Sequence, residues 1–147
     1  MVLLAKDIMD ASFLSLEETV DALAAAQRMV DQRRGYVIVT RGGPGMVSGI
    51  VTEWDYLSKI VATGADPARV LLKDLASRVT YSVAPDTPTD EVVTTMSKLG
   101  VRRMIVRTDD RVLGVITARN ILAIFRPYID RLSAEIAGYQ STQTPLG

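Results

Sequence analysis

The seven residues Gly49-Ile50-Val51-Thr52-Glu53-Trp54-Asp55 return as Gly114-Val115-Ile116-Thr117-Ala118-Arg119-Asn120, an apolar strand ending in Thr-x-x-Asp or Thr-x-x-Asn. The echo runs on, because Lys6-Asp7-Ile8-Met9 matches Lys73-Asp74-Leu75-Ala76 at an offset of 67, and Gly49 matches Gly114 at 65. Between these anchors Asp21-Ala22-Leu23 aligns with Asp90-Glu91-Val92, and Tyr36-Val37-Ile38-Val39 with Arg103-Met104-Ile105-Val106. The change in offset falls where Arg41 to Met46 stands against the tighter Arg107 to Arg111, a turn that tolerates it. A repeat of this size is two copies of one fold rather than a solenoid. The expected units are residues 1–66 and 67–134, followed by a flexible C-terminal tail over 135–147. At 147 residues the two units together can bury one sizeable core.

Each unit reads as β-α-β-β-α, so the expected fold class is α/β (α+β). Ser15-Leu16-Glu17-Glu18 has the form of a capping box, and Thr87-Pro88-Thr89-Asp90 places proline at the first helical position, so a helix is expected at each. Val20, Leu23, Ala24, Gln27 and Val30 then recur at helical spacing, as do Val92, Val93, Met96 and Leu99 before Gly100 stops the second helix. Paired strands follow, Tyr36 to Thr40 with Met46 to Val51 and Arg103 to Arg107 with Val112 to Ile116, all rich in Val and Ile. The closing helices are expected over Trp54 to Ala62 and Arg119 to Arg126. Pro127 perturbs the second, which resumes through Leu132 and Ile136, and Ser141 to Gly147 read as a frayed end.

Composition removes several function classes. Lys plus Arg and Asp plus Glu are balanced at 17 each, which argues against a nucleic-acid binder supported by Arg33, Arg34, Arg102, Arg103 and Arg107 alone, since backbone affinity needs an uncompensated positive face. The absence of Cys and His removes thiol chemistry, disulfides and the commonest metal ligand and proton shuttle. No apolar run reaches the roughly 18 residues that span a bilayer, and a soluble, cytoplasmic protein is expected. Gly42-Gly43-Pro44-Gly45 lacks the lysine and following helix of a phosphate loop, while Glu17, Glu18, Asp109 and Asp110 are scattered over a helix start and a turn. No catalytic residue, metal site or cofactor is expected.

Two β-α-β-β-α units, each ending in Gly-h-h-Thr-x-x-Asp/Asn with h apolar, resemble tandem cystathionine-β-synthase (CBS) domains over roughly residues 3–130. The resemblance implies a pseudo-twofold pair, a Bateman module, that binds AMP, ADP, ATP or S-adenosylmethionine in its cleft and dimerises into a flat disc. It further implies that Thr52 contacts phosphate and Asp55 the ribose hydroxyls, with Thr117 and Asn120 in the second copy. Arg102 falls where the gamma subunits of AMP-activated protein kinase use arginine on the phosphate. The residues themselves allow two roles. A carboxylate can accept two bonds from a cis-diol and a helix N-terminus favours an anion. Thr-x-x-Asp is equally a helix cap.

Arg119 and Arg34 stand beside these positions, and Gly35 replaces the residue aligned with Arg102. Tyr36, Val37, Met104 and Ala118 are candidate walls and edges for an adenine, with Ile8 to Phe13 and Val79 to Ala84 as short strands beside Val37 and Met104. Trp54 suits either a base or a dimer interface. The expected function is a non-catalytic regulatory module that binds an adenine nucleotide, AMP first, between the repeats and acts through an unknown effector protein or a homodimer. The alternative is an interaction scaffold with empty clefts or bound S-adenosylmethionine.

Overall fold

The computed structural model describes residues 2–78 and 81–143. Val79 and Thr80, part of one expected edge strand, and 144–147 of the expected tail lie outside them.

The first unit contributes helix α1 (Ala5–Ile8), strand β1 (Ser15–Glu17), helix α2 (Ala22–Gln32), strands β2 (Tyr36–Thr40) and β3 (Val47–Thr52), and helix α3 (Glu53–Tyr56). The second contributes α4 (Leu72–Leu75), β4 (Ser82–Val83), α5 (Thr89–Leu99), β5 (Arg103–Arg107), β6 (Val112–Thr117) and α6 (Ala118–Gln143). Each forms a three-stranded sheet in which the first strand is parallel to the second and the second antiparallel to the third. Both antiparallel pairs slip register at the same place, after Val39 and after Val106.

The capping-box reading of Ser15 is corrected. Ser15–Glu17 pairs with β2, and Glu18 N–H donates to Thr40 O at 2.8 Å, so the sheet takes the groups a helix start would have used. Helix α2 begins seven residues later, where Asp21 Oδ1 accepts from Ala24 N–H at 2.8 Å. Helix α5 starts at Thr89 with Pro88 as its cap, so the helices align at an offset of 67, two less than the expected pairing of Asp21 with Asp90. Gly100 ends α5 at φ 67°, as expected, and its counterpart in α2 is Arg33 at φ 53°. Helix α3 continues as a π-turn through Val61, closed by Ala62 N–H to Leu57 O at 2.9 Å. Helix α6 passes through Pro127 without a break and on to Gln143, so 135–143 are helical where the tail was expected to begin.

The short helices change sides. Ala5 and Ile8 of α1 pack with Val92, Met96, Met104, Val106 and Ile116 of the second unit, while Leu72 and Leu75 of α4 pack with Leu14, Ala22, Ala25, Met29 and Val39 of the first. The chain after each helix then pairs with the opposite unit's third strand. Asp10 and Val115 exchange both backbone hydrogen bonds (2.8 and 3.1 Å), and Ser77 and Ile50 do the same (3.0 and 3.1 Å). Of the segment Ile8 to Phe13 expected beside Val37, Asp10 pairs with Val115 instead, while Phe13 packs against Tyr36 and Ile38 of β2. The duplicated glycines explain themselves here: a Cβ on Gly114 would sit 2.9 Å from Asp10 O, and one on Gly49 would collide with Ser77 O. Between the sheets Tyr36, Ile38, Ile105, Val112 and Val115 form a third core that joins the units.

Candidate functional site

Because the segment after each short helix crosses over, every cleft is built from both units. The larger, an open groove of about 1130 Å³, is walled by Asp10, the start of β2 with Arg34, Gly35 and Tyr36, and the β6–α6 junction with Thr117, Ala118, Arg119 and Asn120. Arg102 and Arg103 at the start of β5 reach the same groove. The smaller, about 430 Å³, is walled by Thr52 and Asp55 at the β3–α3 junction, by Ser77 and Tyr81, and by the start of β5 through Met104. Seven of the expected residues thus gather in the larger groove, namely Arg34, Tyr36, Arg102, Thr117, Ala118, Arg119 and Asn120. Thr52, Asp55 and Met104 fall in the smaller, which Arg102 lines as well. Val37 lines neither and is fully buried in the first unit's core.

Both junctions are capped from within. Thr117 N–H donates to Asn120 Oδ1 (3.0 Å) and Asn120 N–H to Thr117 Oγ1 (3.1 Å), while Ala118 N–H donates to Arg102 O (2.9 Å). Asp55, 8% exposed, accepts from Thr52 N–H (2.8 Å) and Thr52 Oγ1 (3.2 Å) and pairs with Lys59 at 3.2 Å. Two structural features of Thr-x-x-Asp/Asn, the cap and the groove wall, therefore coexist in one residue set.

The larger groove has a marked charge. Six arginines line it (33, 34, 102, 103, 119 and 126) against two carboxylates, Asp10 and Glu53. Arg34 Nε lies 2.7 Å from Asp10 Oδ2, and Tyr36 Oη donates to the same oxygen at 2.9 Å. Arg103 lies 3.6 Å from Glu53 and over the Tyr36 ring, and its Nε is buried without a hydrogen-bond partner. Arg33, Arg102 and Arg119 make no ion pair among the described residues. Burial raises the Tyr36 phenol far above its usual range, helped by its bond to Asp10, and pushes Tyr56, whose hydroxyl donates to Ala22 O at 2.7 Å, up to about 12.

Sequence reasoning missed Asp10 and Glu53. A weak signal existed for the second: Gly35 leaves open the space into which the exposed Glu53 carboxylate reaches. For Asp10 there was none, since its place depends on the crossing of the chain.

Two sheets, exchanged short helices and two clefts drawing on both halves define a paired-repeat α+β module. A family model described as CBS domain matches residues 5–62 and 72–126, and the chain belongs to the CBS domain family. Hypoxic response protein 1 of Mycobacterium tuberculosis is 30% identical over 117 residues, covering 80% of this chain and 81% of that protein. An uncharacterized protein of Methanopyrus kandleri is 30% identical over 112 residues, 76% of this chain, which spans just 56% of that relative. Among solved structures, a CBS domain pair in complex with 5′-methylthioadenosine and S-adenosyl-L-methionine superposes with a TM-score of 0.72 at 24% identity, covering 84% of this chain and 99% of that one. Among the described residues no group of three or more Asp or Glu side chains could hold a metal ion, and no helix is long and apolar enough to cross a membrane.

Proposed function

We propose that this CBS pair is a non-catalytic regulatory module that binds an adenine nucleotide, AMP, ADP or ATP, in the larger groove. The observation that carries the reading is the surplus of arginine there, with Arg102 and Arg119 at the N-terminus of α6 and Arg33 at the end of α2 making no ion pair among the described residues. Guanidinium groups bind phosphate by charge and by paired N–H donors, and a helix N-terminus adds to the same field. S-adenosylmethionine is net cationic and offers such a wall one carboxylate and no phosphate, so it gains less from it. Since the groove is built from both repeats, a ligand that touches both favours one relative orientation and so changes the surface offered to an effector or to a second copy.

A second reading is supported by the solved pair bound to 5′-methylthioadenosine and S-adenosyl-L-methionine. The smaller cleft offers an adenosyl group Tyr81 and Met104 as walls and the Asp55 carboxylate, and shares just two arginines, Arg102 and Arg103, with the larger groove. Calorimetric titration of the purified protein with AMP, ATP, S-adenosylmethionine and GMP tests both. Heat from AMP and ATP that vanishes in Arg119→Ala, which lines the larger groove and not the smaller, is the expected result. Heat from S-adenosylmethionine alone replaces the first reading with the second, and silence from all four leaves an interaction scaffold.

A further inference from the structure

Helix α6 runs for 26 residues, yet only its beginning belongs to the body. Ala118 and Ile121 pack on the second unit's core, whereas every residue from 122 to 138 is exposed. At about 1.5 Å per residue the part beyond Arg126 extends for roughly 25 Å.

Most of the large apolar residues on this stretch fall on one line, with Ile124 and Tyr128 beside it. Leu122, Phe125, Ile129, Leu132 and Ile136 follow one another at intervals of three, four, three and four, and are 63%, 38%, 49%, 44% and 50% exposed. That is the a/d pattern of a heptad, a narrow seam that fits one partner helix; a helix lying on a globular core carries a wider stripe. Pro127 falls at f, the position directed away from a partner, so its missing N–H and bulky ring face water. Asp130 and Arg131 fall at b and c, also outside the seam.

We propose that α6 pairs with α6 of a second copy of this chain in a parallel, two-stranded coiled coil. The seam is identical on both copies and therefore complements itself about a twofold axis. Ile129 and Ile136 at a with Leu132 at d are the combination that favours two parallel strands. The flanks agree: parallel pairing sets Tyr128 at g against Ser133 at e, and no like charges meet. A lipid surface fits less well, because the polar side carries Arg126 and Arg131 balanced by Asp130 and Glu135 instead of a basic face. Leu122 also lines the larger groove, whereas Phe125, Ile129, Leu132 and Ile136 line neither cleft.

The chain has no cysteine, so single introduced thiols report on this contact without background. In the full chain, Leu132→Cys is expected to form a covalent dimer under mild oxidation roughly tenfold faster than Ala134→Cys, at f, because only the first brings the thiols within bonding reach. Adding Ile129→Glu to Leu132→Cys should abolish the difference while the near-ultraviolet dichroism of the body is unchanged. Equal crosslinking of the two cysteine variants, or none, overturns the proposal. So does coupling seen only between an Ile129→Cys chain and a Leu132→Cys chain, which is the signature of antiparallel helices.

Discussion

The guanidinium of Arg103 lies 5.9 Å from the centre of the Tyr36 ring, and these two residues open the corresponding strands β5 and β2 of the two repeats. One contact therefore joins equivalent positions across the pseudo-twofold. On one side Tyr36 is bonded to Asp10, which holds Arg34; on the other Arg103 holds Glu53. The whole chain of contacts lines the larger groove, and Arg103 is its one member that also lines the smaller.

Arg103→Ala is expected to weaken AMP binding by roughly tenfold and leave adenosine nearly unchanged, while costing stability about 1 kcal/mol or less, because its partner Glu53 is largely exposed. Glu53→Gln should act in the opposite sense and tighten ATP several-fold by releasing Arg103. Titration calorimetry at two salt concentrations reads both, and an unchanged affinity in each variant would remove Arg103 from the site.

Asp55→Ala should lower the unfolding free energy by about 1–3 kcal/mol, since its carboxylate is buried and caps the Thr52 junction with charge-assisted bonds. The sequence left both this cap role and a contact to the ribose open. A urea melt decides: an unshifted midpoint would mean the cap carries no weight.

Arg33 is the one non-glycine residue with positive φ among those described, at the place where the second repeat has Gly100. Arg33→Gly should therefore raise stability by about 1 kcal/mol through relief of the left-handed conformation, and reduce nucleotide affinity through loss of a groove charge. Opposite signs in the melt and the titration are the expected result; a loss of stability would show that the side chain is held by contacts that offset the strain.

Tyr36 and Tyr56 bind their phenolic protons more tightly in the folded protein than the usual value of 10.0. Their contribution is fully present below that value. Above it the unfolded chain releases the protons first, so stability falls as pH rises from about 10 towards 12. Denaturant melts should show this decline, and Tyr36→Phe should make it shallower; an identical alkaline slope in the variant would assign the loss elsewhere.

Much of this was legible in the residues. Strand pairs β2–β3 and β5–β6 follow from runs of Val and Ile around a turn, and the Gly100 stop and the Thr-x-x-Asp/Asn junctions follow from local chemistry. Where two local readings competed, the tertiary partner chose. Ser15 could cap a helix in isolation, but β2 offered a ladder to the same backbone groups.

The sequence by itself determined that the chain is duplicated, where its strands turn, and that arginine and hydroxyl groups stand beside each junction, because periodicity, propensity and capping act within a few residues. Only the tertiary structure decided that α1 and α4 change sides, that Asp10 and Ser77 enter opposite clefts, and that six arginines share one groove while Asp55 faces the other. Those outcomes depend on burying two incomplete cores against each other, a long-range balance of apolar area that no short segment contains.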